Sequence, residues 1–146
     1  MKILELGHVV LYVTNLERVA NFYRNKLGFR EIHRNSQMAL FSSGRTHHEM
    51  LLIEVGGEPK PPHHPEPGLY HIGFKVANSH EELKTVYQEL KTNNVNILGL
   101  TDHGVTHSIY VTDPDNNELE LYADVSDSWK TDPTALLATP HPLNLD

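Results

Sequence analysis

A histidine opens an apolar strand twice in this chain, in "LGHVVLYV" at residues 6–13 and in "LYHIGFKV" at 69–76. The two histidines, His8 and His71, stand 63 residues apart. A helical pattern follows each strand. In "TNLERVANFYRNKLGF", Leu16, Val19, Ala20, Tyr23 and Leu27 fall on one side. In "SHEELKTVYQELKTNN", the opening is again a hydroxyl residue followed three positions later by glutamate. Thr14 with Glu17 and Ser79 with Glu82 have capping-box spacing, and the two caps lie 65 residues apart. A repeat of that length is a whole supersecondary unit and not a turn of a solenoid. Strand patterns follow the first helix near 29–34, 37–43 and 47–55, and the second near 95–100, 105–112 and 117–123. The reading is an α+β fold. Two βαβββ modules, about 5–56 and 68–124, form one domain over 1–125, with a curved mixed sheet around a cavity. Residues 126–146 form a C-terminal tail.

Strand alternation decides what faces that cavity, because successive side chains point to opposite faces. Val9, Leu11 and Val13 share one face, with His8 on the other. Tyr70, Ile72, Phe74 and Val76 share a face, with His71 and Gly73 opposite. Leu119, Leu121 and Ala123 share a face, with Glu118, Glu120 and Tyr122 opposite. In "HHEMLLIEV", Leu51, Ile53 and Val55 share a face, with His48, Met50, Leu52 and Glu54 opposite. The apolar faces are expected to pack under the helices. The other faces are expected to line a cavity holding histidines and carboxylates.

Composition narrows the use of such a cavity. The chain has no cysteine, so thiolate metal sites and cysteine nucleophiles are excluded, and nothing needs an oxidising compartment. Lys and Arg are scattered in a chain of net charge −7, which argues against nucleic acid as a partner. No apolar run approaches the roughly 20 residues of a membrane span. "MKILELGHVV" lacks the features of a signal peptide, so a cytoplasmic protein is expected.

Two neutral imidazoles and a carboxylate on separate strands suit a divalent first-row metal. Such a 2-His-1-carboxylate set leaves positions open for substrate and oxygen. His8, His71 and Glu120 are the candidates. An antiparallel sheet with one wet face would also show alternating polar residues. The recurrence of histidine at related places in both modules favours the metal.

"GHVVLYVTNLERVANFYRNKLGF", "GLYHIGFKV" and "IYVTDPDNNELELY" resemble the vicinal-oxygen-chelate superfamily over about residues 5–123. That superfamily includes glyoxalase I, type I extradiol dioxygenases, and fosfomycin and bleomycin resistance proteins. The extradiol ring-cleaving dioxygenases look closest. The resemblance implies iron(II) held by His8, His71 and Glu120, a set that suits manganese(II) equally. It implies a small aromatic diol and O2 as substrates, and a homodimer. It also places a functional histidine in "THHEMLL" at His48, since His47 has the wrong parity. A histidine and tyrosine in "DHGVTHSIYVTDPDNNE" fall at His103 and Tyr110, with His107 able to substitute for His103. The roles implied are base or oxygen stabilisation for His48, a hydrogen bond to the diol for Tyr110, and support for them from His103.

Glu54, in "LLIEVG", carries the competing reading. It resembles the extra carboxylate of glyoxalase I, which would give four ligands, nickel(II) or zinc(II), and chemistry on a glutathione hemithioacetal. His48 and Glu54 lie too far apart along a strand, roughly 20 Å, to share one metal environment. "HGVTHSIY" favours the dioxygenase. A metal-free drug-binding resistance protein is the third reading, and three intact ligand positions weigh against it. "GGEPKPPHHPEPG" reads as a connection between modules, with His63 and His64 facing solvent. Trp129 and the leucines of the tail call for a covering surface, on this chain or on a partner.

Overall fold

The computed structural model describes residues 1–61 and 65–146. His63 and His64 lie outside the described residues. The chain divides into two compact units, Met1–Pro61 and Pro62–Asp146. No helix among the described residues is long and apolar enough to cross a membrane.

The first unit runs β1 (Val9–Val13), α1 (Leu16–Asn21), β2 (Glu31–Arg34), β3 (Met38–Phe41) and β4 (Met50–Glu54). The strand order is β1-β4-β3-β2, with β1 and β4 parallel and the other pairs antiparallel. The helix begins one residue later than the capping-box spacing suggests. Asn15 is the N-cap, its Oδ1 accepting the Arg18 N–H at 2.9 Å. Thr14 instead accepts from the Arg18 guanidinium. Leu16, Val19, Ala20, Phe22 and Tyr23 are buried. After Asn21 the helix widens into a π-type turn over Phe22–Lys26, and Gly28, at φ 68°, lets the chain leave it.

The second unit runs β5 (His71–Ala77), α2 (His80–Thr92), β6 (Ile97–Asp102), β7 (Thr106–Thr112), β8 (Glu118–Asp124) and a short β9 (His141–Pro142). Its order is β5-β8-β7-β6-β9, with β5 and β8 parallel. Ser79 caps α2 as expected, its Oγ accepting the Glu82 N–H at 3.2 Å. The turn "DPDNN" forms around Asp113. Its Oδ1 accepts the N–H groups of Asp115 and Asn117, and Asn116 takes φ 62°.

Two βαβββ modules with mixed sheets are therefore observed. Among the described residues the strands form one sheet per module instead of a single shared one, with β1 paired only to β4 and β5 only to β8. The tail packs on its own module: β9 adds to β6, Leu145 is fully buried, and the Asp146 carboxylate pairs with Lys91 of α2.

Candidate functional site

In the second unit the alternation predicted for β8 holds. Leu119, Leu121 and Ala123 are buried, while Glu118, Glu120 and Tyr122 are half-buried on the other face. His71 opens β5 on that same face. Its Nε2 lies 3.1 Å from Glu120 Oε2. Gly73 is paired with Glu120 in the parallel register, and a Cβ there would stand 3.8 Å from Glu120 Oε2, in ordinary contact. On the other side β7 places Tyr110 directly opposite Glu120. The Tyr110 hydroxyl lies 3.3 Å from Glu120 Oε1 and 2.9 Å from His103 Nε2. Ser108 is fully buried, and its hydroxyl donates to Glu120 Oε1 at 2.6 Å.

The carboxylate is thus held from one side by two hydroxyls and faces an imidazole with its other oxygen. Burial, and then the adjacent Glu120 charge, push the Tyr110 phenol well above its ordinary value. Tyr110 is therefore a neutral O–H donor throughout the physiological range. Burial and Glu118 similarly raise Tyr70, whose ring lies tilted against His71 at 4.4 Å between centroids.

The sequence reading missed Ser108. Its parity with Tyr110 on β7 was the available signal. His107 cannot stand in for His103, because an odd spacing from Tyr110 turns it to the opposite face. There its Nδ1 meets His80 Nδ1 at 3.0 Å, and its Nε2 lies 3.6 Å from Asp102.

In the first unit, His8 lies on the exposed face of the sheet with Val10 and Tyr12, and Leu11 and Val13 are buried opposite, as expected. The parity assigned to β4 is overturned. Met50 and Leu52 are the buried residues of that strand, packed on the helix side, and Leu51 and Ile53 lie on the other face. The parallel register pairs Leu11 with Leu52 and Val13 with Glu54, so Glu54 also belongs to the helix side. Its Oε2 accepts the Leu16 N–H at 2.6 Å, at the start of α1, where a carboxylate satisfies an unpaired helical donor and the positive end of the helix. Glu54 is thereby removed from the face of His8.

His48 nevertheless reaches His8. The segment 42–49 is not extended, so strand parity does not govern it. It wraps around Glu49, which accepts the N–H groups of Ser43 at 2.8 Å and Thr46 at 3.1 Å. Burial alone would raise the Glu49 carboxyl; these donors outweigh burial and hold it below its ordinary value. The His8 and His48 ring centroids stand 4.5 Å apart, and His47 Nδ1 lies 2.6 Å from His48 Nδ1. Partial burial, and then the neighbouring His47 and His8, lower the pKa of His48, which favours its neutral, proton-accepting form.

Glu54→Gln follows from this geometry as a test. It is expected to leave metal uptake unchanged and to lower stability by about 0.3–1 kcal/mol through the start of α1. Metal analysis and urea unfolding of the same preparation check both halves.

Of the three predicted ligands, the structure brings His71 and Glu120 together. No group of three or more His, Asp and Glu among the described residues surrounds a common point. The His71–Glu120 pair has the spacing of two ligands of one metal. Ligands about 2.0–2.2 Å from one ion and at right angles stand about 3 Å apart, close to the spacing seen. His71 Nδ1, which is not the nitrogen that faces Glu120, is buried and has no hydrogen-bond partner among the described residues.

A family model described as Glyoxalase/Bleomycin resistance protein/Dioxygenase superfamily matches residues 5–121. Catechol-2,3-dioxygenase of Bacillus subtilis is 30% identical over 128 residues, 87% of this chain and 44% of the relative, so the chain spans less than half of that protein's length. Metallothiol transferase FosB of Staphylococcus saprophyticus is 32% identical over 120 residues, 80% of this chain and 75% of the relative. A solved structure of a mutant FosX from Listeria monocytogenes, complexed with manganese(II) and a dihydroxypropylphosphonic acid, aligns with a TM-score of 0.69 at 23% identity. It covers 90% of this chain and 98% of that one, a likeness of fold.

Proposed function

The chain belongs to the glyoxalase/bleomycin resistance protein/dioxygenase superfamily, and on that premise we propose that it is an extradiol dioxygenase cleaving a small aromatic diol with O2. The observation that carries this reading is the cluster on one face of the second module. There Glu120 faces His71 at 3.1 Å, while Tyr110 and His103 stand beside it, linked at 2.9 Å. His71 and Glu120 would hold iron(II), with His8 as the third ligand; manganese(II) suits the same donors. Bound there, the metal would supply Lewis acidity and a path for electrons from the diol to O2. The chain's own residues do the rest. Neutral His48 accepts a proton from the diol. Tyr110, locked in its protonated form, donates a hydrogen bond to a diol oxygen. His103 orients that hydroxyl. Ser108 fixes the carboxylate. The proposed form is a cytoplasmic homodimer.

Glu54, bonded to the start of α1, disfavours the four-ligand glyoxalase I arrangement with nickel(II) or zinc(II). A second reading, metal-dependent thiol transfer, is favoured by the match to FosB, which spans 75% of that relative. The test reconstitutes the protein with iron(II) without oxygen, adds catechol or 2,3-dihydroxybiphenyl, and then admits air. A yellow ring-opened product is the expected result. Consumption of a low-molecular-weight thiol with fosfomycin, and none of the diol, would replace this reading with the second.

A further inference from the structure

The tail forms one wall of a pocket. Trp129, in the short helical turn Ser128–Lys130, and Leu136, in the turn Pro133–Leu137, face Val105, Thr106, Glu120, Tyr122 and Asp124 across a space of about 370 Å3. That size falls in the range of small-molecule sites, about 300–1,000 Å3. All of these residues belong to the second unit. The wall is anchored beyond it by β9 on β6 and by the burial of Leu145. It is seated by Gly104, where an added Cβ would come within 3.2 Å of Ala138.

The lining combines two chemistries. It includes Glu120, the carboxylate that faces His71. It also includes an indole and an isobutyl group, 40% and 58% exposed and so open to an apolar ligand group. Asp124, also in the lining, pairs with Lys75 Nζ at 2.7 Å. Burial, then Asp124, raise the Tyr122 phenol, so it too is neutral. The apolar part of the lining is the indole of Trp129 and the isobutyl group of Leu136.

We propose that this pocket is a subsite for an apolar, preferably aryl, substituent of the diol, with Trp129 and Leu136 as the residues that set specificity. The assignment of Glu120 to the reacting diol rests on the dioxygenase reading; the apolar wall does not.

Trp129 is the chain's single tryptophan, so its emission reports on the wall without turnover. The anaerobic, iron(II)-loaded protein is titrated with 2,3-dihydroxybiphenyl and with catechol, followed by tryptophan fluorescence and calorimetry. The biphenyl diol is expected to quench Trp129 saturably, and catechol is not. Trp129→Ala and Leu136→Ala are each expected to weaken the biphenyl diol roughly tenfold and catechol less than about twofold, with Trp129→Phe restoring most of the loss. Both side chains are partly exposed, and circular dichroism of the variants confirms that they fold. Equal weakening of the two diols, or no weakening of either, overturns the subsite. If neither diol is cleaved but the difference in binding persists, the dioxygenase reading fails and the subsite stands.

Discussion

Glu120→Gln is expected to yield a folded protein that does not retain iron(II). The carboxylate is placed by β8, whose buried face of Leu119, Leu121 and Ala123 is untouched by the substitution. The amide removes the negative charge and one of the oxygens that a metal requires, while preserving shape. Altering only the groups around a metal ligand costs about 10–100-fold in affinity. Loss of a ligand is therefore expected to cost more than about 100-fold and to abolish diol cleavage. His71→Ala is expected to behave in the same way. Ser108→Ala, which removes the 2.6 Å hydrogen bond to Glu120 Oε1, should fall in the intermediate range. Metal content after gel filtration, with the far-UV spectrum as a control for folding, separates these outcomes. Wild-type metal content in Glu120→Gln would remove Glu120 from the site.

Tyr110→Phe is expected to keep the metal and lose the rate. The phenyl ring remains on β7 opposite Glu120, and only the hydroxyl that links His103 to Glu120 disappears. A positioned proton donor contributes about 10²–10⁴-fold to a rate. A fall in kcat of about 100-fold with a modest change in KM is the expected pattern, because the donor matters most where charge develops on the diol oxygen. Wild-type kcat with unchanged iron content would reduce Tyr110 to a packing residue. His103→Gln, which keeps a donor near the hydroxyl, is expected to fall between the two.

The two-module fold and the adjacency of His71 and Glu120 were legible in the sequence, and the limits of that reading have physical causes. The repeat of histidine-opened strands gave two modules because a period-two pattern followed by a capped helix has few other solutions. Alternation placed His71 and Glu120 correctly because β5 and β8 are regular over the residues concerned, and their parallel register is uninterrupted there. The same logic failed at β4, where the strand starts only at Met50. The bend around Glu49 lies between His48 and the strand, so parity counted from His48 was carried through residues that are not extended. The buried face of β4 was consequently assigned in reverse. Glu54, which looked like a ligand by its context, instead satisfies the start of α1. The tail was legible only as apolar residues in need of cover. A 3-10 turn has no long hydrophobic period, so nothing in the sequence pointed Trp129 and Leu136 at the pocket beside Glu120.

The direct measurement is X-ray diffraction at the iron absorption edge from anaerobic crystals of the iron(II)-loaded protein. One anomalous peak, bonded to His8, His71 and Glu120, is predicted. Iron held by a set lacking any of these three, such as His80 with His107, or no ordered iron at all, would contradict it.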